Sequence, residues 1–97
     1  MAIGDLYSGN TTLTDSTSWI VASETSTQEV VIHNIYIPYG SEVEIYLLDT
    51  MGECKILTTT ETLYNYTFHI NTTHCLRLKN TSGASIFLSF DGVVVNE

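Results

Sequence analysis

A chain of 97 residues and 10.8 kDa has room for one domain with one modest core, burying about 65% of its unfolded surface, and none for a second core or a transmembrane hairpin. Eleven acidic residues against three Lys and Arg give a formal net charge of −8 on a chain only 14% charged. That balance repels phosphate backbones and anionic lipid, so it argues against nucleic-acid and membrane partners, while 43% hydrophobic residues in alternating runs argue against a disordered polymer.

With one proline, no run of good helix formers and an abundance of Thr, Val, Ile, Tyr and Phe, the chain reads as nearly all β. Residues 1–18 hold Ile3, Leu6, Tyr7 and Leu13 among Gly, Asn, Ser, Thr and Asp, which suits an extended N-terminal arm or edge strand; residues 19–97 form the sandwich domain. Trp19-Ile20-Val21 is a short strand, with Trp19 on the core side, and Glu24 to Gln28 a polar turn. In the strongest run, Val30 to Ile37, strict alternation places Val31, Ile35 and Ile37 with His33 on one face and Val30, Ile32 and Tyr36 with Asn34 on the other, so both faces are apolar and a central strand is expected. Pro38-Tyr39-Gly40-Ser41 has turn chemistry. After it, Glu42 to Leu48 sends Val43, Ile45 and Leu47 inward and Glu42, Glu44 and Tyr46 outward, and the two strands are expected to pair as a hairpin.

Asp49 to Gly52 turns the chain into Cys54 to Thr58. From Leu63 to Ile70 the aromatic row Tyr64, Tyr66 and Phe68, continued by Ile70, is the expected core side. Asn71 to Thr73 turns again into His74 to Lys79, with Leu76 and Leu78 inward and Arg77 and Lys79 outward. After Thr81-Ser82-Gly83, residues Ile86, Leu88 and Phe90 share one face of the last long strand, which Asp91-Gly92 bends into Val93-Val94-Val95. About seven or eight short strands, with turn signals roughly every 8–12 residues, describe an all-β, single-domain antiparallel β-sandwich of jelly-roll or Ig-like type.

No cofactor, metal site or catalytic constellation is expected, and the chain does not read as an enzyme. His33, His69 and His74 stand at no spacing that joins them to a nucleophile, and no nucleophile elbow, phosphate-cradling glycine loop or paired-cysteine zinc pattern is present. Adjacent His74 and Cys75 point to opposite faces of a strand. Glu42 and Glu44, with Cβ atoms about 7 Å apart along one strand face, lack the desolvated cleft that would separate their pKa values. The opening Met1-Ala2-Ile3-Gly4-Asp5 has neither the basic nor the apolar segment of a secretory signal, so Cys54 and Cys75 are expected as buried free thiols, and the acceptor-like tripeptides at Asn10, Asn65, Asn71 and Asn80 as turn and strand residues.

Monomeric sheets blunt their edges with lysine, proline or bulges, and this chain has only Lys55, Arg77, Lys79 and Pro38 for that purpose. A homo-oligomer is therefore expected, with Ile3, Leu6 and Tyr7 of the arm and Tyr36, Tyr39 and Tyr46 as interface residues, since tyrosine offers a large contact area with a polar tip.

Four stretches, Thr17-Ser18-Trp19-Ile20-Val21-Ala22, Val30 to Ile37, Val43-Glu44-Ile45-Tyr46-Leu47 and Leu88 to Val95, make the chain resemble small β-sandwich virion accessory proteins of tailed bacteriophages. It departs from them where Ser23 to Gln28 replaces their Pro-Ala-Gly-Lys turn. The resemblance implies a non-enzymatic structural subunit, made in the host bacterial cytoplasm and residing in the virion. The most concrete form is a capsid decoration or head accessory protein that binds the major capsid protein through its N-terminal arm and sheet edges. Neck, tail or fibre-base subunits, or a glycan-binding β-sandwich module, are the alternatives.

Overall fold

The computed structural model describes residues 2–97. Eight strands run in chain order: β1 Leu6–Leu13, β2 Ser18–Val21, β3 Glu29–Tyr36, β4 Val43–Asp49, β5 Gly52–Thr59, β6 Phe68–Ile70, β7 Cys75–Asn80 and β8 Ile86–Asn96. They form two four-stranded antiparallel sheets, a front sheet in the order β1-β8-β3-β6 and a back sheet in the order β2-β7-β4-β5. Eight strands that shuttle between two sheets in this order make a jelly roll, which settles the two sandwich types left open by the sequence. The inner faces meet in one core built from Val30, Ile32, Ile35, Val43, Ile45, Ile70, Leu76, Leu78, Leu88 and Val94, each at most 1% exposed.

The expected hairpin of residues 30–37 with 42–48 does not form. Both sides of β3 are occupied, by β8 and by β6 continued through a bridge between Ile35 and Leu63. The turn at Pro38 to Ser41 therefore carries the chain across to the back sheet, where β4 lies between β7 and β5.

A bulge accounts for the two apolar faces of β3. Ile32 pairs with Gly92 and Asn34 with Asp91, so His33 is an extra residue opposite the β8 backbone. A single inserted residue reverses the parity of everything after it. Val30 and Ile32 before the bulge thus share the core with Ile35 and Ile37 after it, whereas Val31 pairs with Val93 and His69 on the opposite face.

The aromatic row also fails to alternate. Leu63 exchanges backbone hydrogen bonds with Ile35 at 2.9 and 3.0 Å, and Asn65 then takes a left-handed φ of 61°, which breaks the two-residue period. Leu63 is buried in the core while Tyr64 and Tyr66 are exposed; Phe68 and Ile70 alone of the row turn inward. Nor does Asp91-Gly92 interrupt the last strand. β8 runs unbroken from Ile86 to Asn96, and Gly92 is required by crowding, because a Cβ there would lie 2.0 Å from the Val31 carbonyl oxygen.

Trp19 and Tyr7 flank Phe90, with ring centroids 5.2 and 5.9 Å from it, and close one end of the core. Both cysteines are free, but only Cys75 is buried; Cys54, expected inside, is exposed on the edge strand β5 near the β4–β5 turn. Burial also pushes the Cys75 thiol up from its ordinary range. Native protein treated with a thiol reagent is expected to gain one adduct rapidly, at Cys54, and a second only on unfolding, as read by mass spectrometry of the peptides.

Candidate functional site

An open hollow of about 270 Å³ lies at the β4–β5 turn, lined by Leu47, Asp49, Met51, Gly52, Glu53 and Cys54. Among the described residues no three His, Cys, Asp or Glu side chains converge as a metal site. No buried side-chain nitrogen or oxygen among them lacks a hydrogen-bond partner. The chemistry available to a partner therefore lies on the outer faces of the sheets and at their edges.

The outer face of the back sheet collects all three permanent cations. Alternation along β7 turns Arg77 and Lys79 outward, opposite Tyr46 and Glu44 of β4. A bulge between Ile45 and Tyr46 then brings Lys55 of β5 opposite Tyr46. The Arg77 guanidinium carbon stands 4.1 Å from the centre of the Tyr46 ring, and the group donates to Glu53 at 3.0 and 2.7 Å and to the Ser18 hydroxyl at 2.6 Å. The Tyr46 hydroxyl donates to Glu44 at 2.8 Å, and Lys55 reaches the other oxygen of that carboxylate at 3.2 Å. Glu44 and Glu53 are thus the only acids of the described chain paired with Lys or Arg, and the remaining carboxylates set the charge of the rest of the surface.

Hydrogen bonding from Tyr46, and then from Lys55, holds the Glu44 carboxyl below its ordinary 4.5. A depressed folded pKa means that the stabilisation is present above the ordinary value and is lost as the pH falls below it, through the folded pKa. Glu44→Gln is expected to lower stability across the neutral and alkaline range and to converge on wild type as the pH falls through the folded value, which flattens this part of the acid limb, as read from urea midpoints at a series of pH values.

The front sheet presents a different outer face. The bulge at His33 turns Asn34 and Tyr36 outward beside Asp91, where Asn34 Nδ2 donates to one carboxylate oxygen at 2.7 Å and the Tyr36 hydroxyl donates to the other at 2.5 Å. Donating to the Asp91 carboxylate, which favours the protonated form, raises the Tyr36 phenol above its ordinary range. Residues 63–66 are fastened alongside: Asn65 N–H donates to Asn34 Oδ1 at 3.0 Å, Tyr66 N–H to the His33 carbonyl at 2.9 Å, and the His33 ring hydrogen-bonds the Tyr66 carbonyl at 2.9 Å. This anchoring stands Tyr64 edge-on to Tyr36, with centroids 6.2 Å apart at 79°.

The six residues singled out from sequence therefore do not form one surface. Tyr7 belongs to the core, with its hydroxyl donating to the Ala22 carbonyl. Tyr46 lies beneath Arg77 on the back sheet. Tyr36 is on the front sheet, Tyr39 is fully exposed on the crossing turn, and Ile3 and Leu6 are exposed beside the front-sheet edge strand β1. Tyr64 and Asp91 were missed because one was assigned to the core and the other to a turn. Asp91 carried a usable signal: it stands out of phase with Ile86, Leu88 and Phe90, and so faces outward.

No protein-family model matches the sequence, and no curated protein is similar to it. Among solved structures, the chain is similar to the NLP core of Drosophila, at 16% identity and a TM-score of 0.50, over 94% of this chain and 97% of that one. The crystal structure of that core is described as giving insight into pentamer formation and histone binding. This finding corrects the expectation of a tailed-phage capsid decoration subunit with capsid, neck or tail proteins as partners. That expectation and its fibre-base and glycan-module alternatives are withdrawn. What the similarity establishes is the fold: an all-β, two-sheet antiparallel sandwich.

Proposed function

We propose that this chain is a non-enzymatic, self-associating acidic module that binds basic polypeptides, with histones as the partner to test. The observation that carries the reading is the likeness, over nearly the whole of both chains, to a core described in terms of pentamers and histone binding, in a sequence whose net charge is −8. Charge placement supports it. The three Lys and Arg side chains gather on one face of the back sheet, so a cationic partner approaching elsewhere meets carboxylates without competing ammonium or guanidinium groups. Self-association is supported by exposed apolar side chains on and beside the edge strands β1 and β5, Leu6, Met51 and Ile56, and by exposed Phe87 on the outer face of β8, which a neighbouring copy would cover.

Sedimentation velocity of the full chain, alone and with purified core histones, tests both halves. The expected results are a species several chains in mass and co-sedimentation with histones that weakens steeply between about 0.1 and 0.5 M salt. A monomer at all concentrations, with no histone bound at low salt, overturns the reading.

A further inference from the structure

The two outer faces carry the same pair of groups in different states of completion. On the back sheet the tyrosine bound to a carboxylate, Tyr46 with Glu44, has the Arg77 guanidinium 4.1 Å from its ring centre, and the guanidinium also pairs with Glu53. On the front sheet the corresponding pair, Tyr36 with Asp91, has a second ring, Tyr64, standing edge-on beside it. The chain's three Lys and Arg side chains are all committed to the opposite sheet. We propose that Tyr36, Tyr64 and Asp91 form a receptor for an arginine side chain of a basic polypeptide, which supplies from outside the cation that Arg77 supplies within the back sheet.

Three physical points support this. Tyr64 is 63% exposed and Tyr36 36% exposed, so ring surface is available to a planar cation, which aromatic faces attract. A carboxylate has about four lone-pair sites, and Asp91 uses two of them on Asn34 and Tyr36, which leaves two for a guanidinium. The cluster is also built in advance. Asn34 holds Asp91 with its amide nitrogen and residue Asn65 with its amide oxygen, so the side chain that orients the carboxylate also locates the loop carrying Tyr64. Little ordering entropy then remains to be lost on binding. Arginine fits better than lysine because its flat fork both stacks on a ring and pairs with a carboxylate, whereas an ammonium is a compact, strongly hydrated point charge.

The inference rests on the basic-polypeptide reading and is tested so that the two can fail separately. The probes are a fluorescent peptide of repeated Arg-Gly units and its Lys-Gly counterpart, titrated by anisotropy with the 97-residue chain. The expected results are tighter binding of the arginine peptide and roughly 5- to 20-fold weaker binding by Tyr64→Leu and by Asp91→Asn. The charge-matched Glu61→Gln, in the exposed segment before Leu63, is expected to stay within about twofold of wild type, since a surface charge whose carboxylate makes no hydrogen bond to the cluster acts only through the screened field. Tyr64→Leu alters an exposed side chain and keeps the test valid if Asp91→Asn does not fold. If wild type binds neither peptide, the reading and the inference both fall. If wild type binds but Tyr64→Leu matches Glu61→Gln, the reading stands and the inference is overturned. Equal affinity for the two peptides, with equal losses in the variants, overturns the assignment to arginine.

Discussion

Gly92→Ala is expected to leave little folded protein. The new Cβ would lie 2.0 Å from the Val31 carbonyl oxygen and 2.9 Å from Ile32 Cα and from the Val31 carbonyl carbon, all of them backbone atoms of β3 in the middle of the front sheet. No rotamer change relieves such a contact; β3 and β8 have to separate, which loosens the ladder on which the sheet depends. Overpacking typically costs about 1–3 kcal/mol, and more where the obstacle cannot yield, against a total stability of about 5–15 kcal/mol. Gly9→Ala is the calibrating comparison. Its Cβ would meet the tip of the Phe90 ring at 2.9 Å, a side chain that can tilt, so a loss of about 1 kcal/mol is expected. Urea denaturation followed by circular dichroism decides the matter: a Gly92→Ala midpoint as high as that of Gly9→Ala would show that the β3–β8 contact is not the constraint.

Asn80→Asp is expected to be nearly as damaging, and in a pH-dependent way. Asn80 is wholly buried. Its amide nitrogen donates to the Leu13 and Ala84 carbonyls at 2.9 and 2.7 Å, while its amide oxygen accepts from Ser82 N–H and Oγ at 2.9 and 2.6 Å. One side chain therefore joins the end of β1, the end of β7 and the turn into β8. A carboxylate in its place turns a second acceptor toward two carbonyl oxygens without a cation nearby, at a cost of about 3–5 kcal/mol. Burial without compensation raises the folded pKa of that carboxyl above the ordinary value of about 3.9. Its protonated form, which can donate one bond, is then the better tolerated, so the deficit against wild type is largest at neutral pH and narrows as the pH falls through the raised value. Asn80→Ala, which has no titrating group, is expected to show a deficit constant across the same range. Parallel stability profiles for the two variants would exclude the buried-charge account.

Strands whose alternation is uninterrupted were legible in the sequence. Leu76 and Leu78 inward with Arg77 and Lys79 outward, the Ile86, Leu88 and Phe90 face, and the β4–β5 turn all stand where the pattern put them. The misreadings of the β3 faces and of the aromatic row share a cause, which is one residue out of phase. His33 bulges from β3 and Asn65 adopts a left-handed conformation, and neither event is encoded in apolar periodicity, because the residues on either side still look like strand. Turn chemistry at Pro38 to Ser41 signalled a change of direction but not which sheet receives the next strand. That depends on β8, nearly fifty residues later, and on Leu63 and β6, which take the two sides of β3 in the finished fold. Of the front-sheet cluster, Tyr36 could be singled out as an exposed ring. Its partner Asp91 and neighbour Tyr64 come together only through that bulge and that left-handed asparagine.

The placement of β8 between β1 and β3 also governs the order of events during synthesis. Until residues 86–96 have cleared the ribosome, β1 and β3 have no common neighbour, and their inner faces remain open to water or to a chaperone. The sandwich closes in one late step, when β8 slots between two strands made some sixty and eighty residues before it. Long-range closure of this kind is slow, on the ms–s scale typical of all-β topologies.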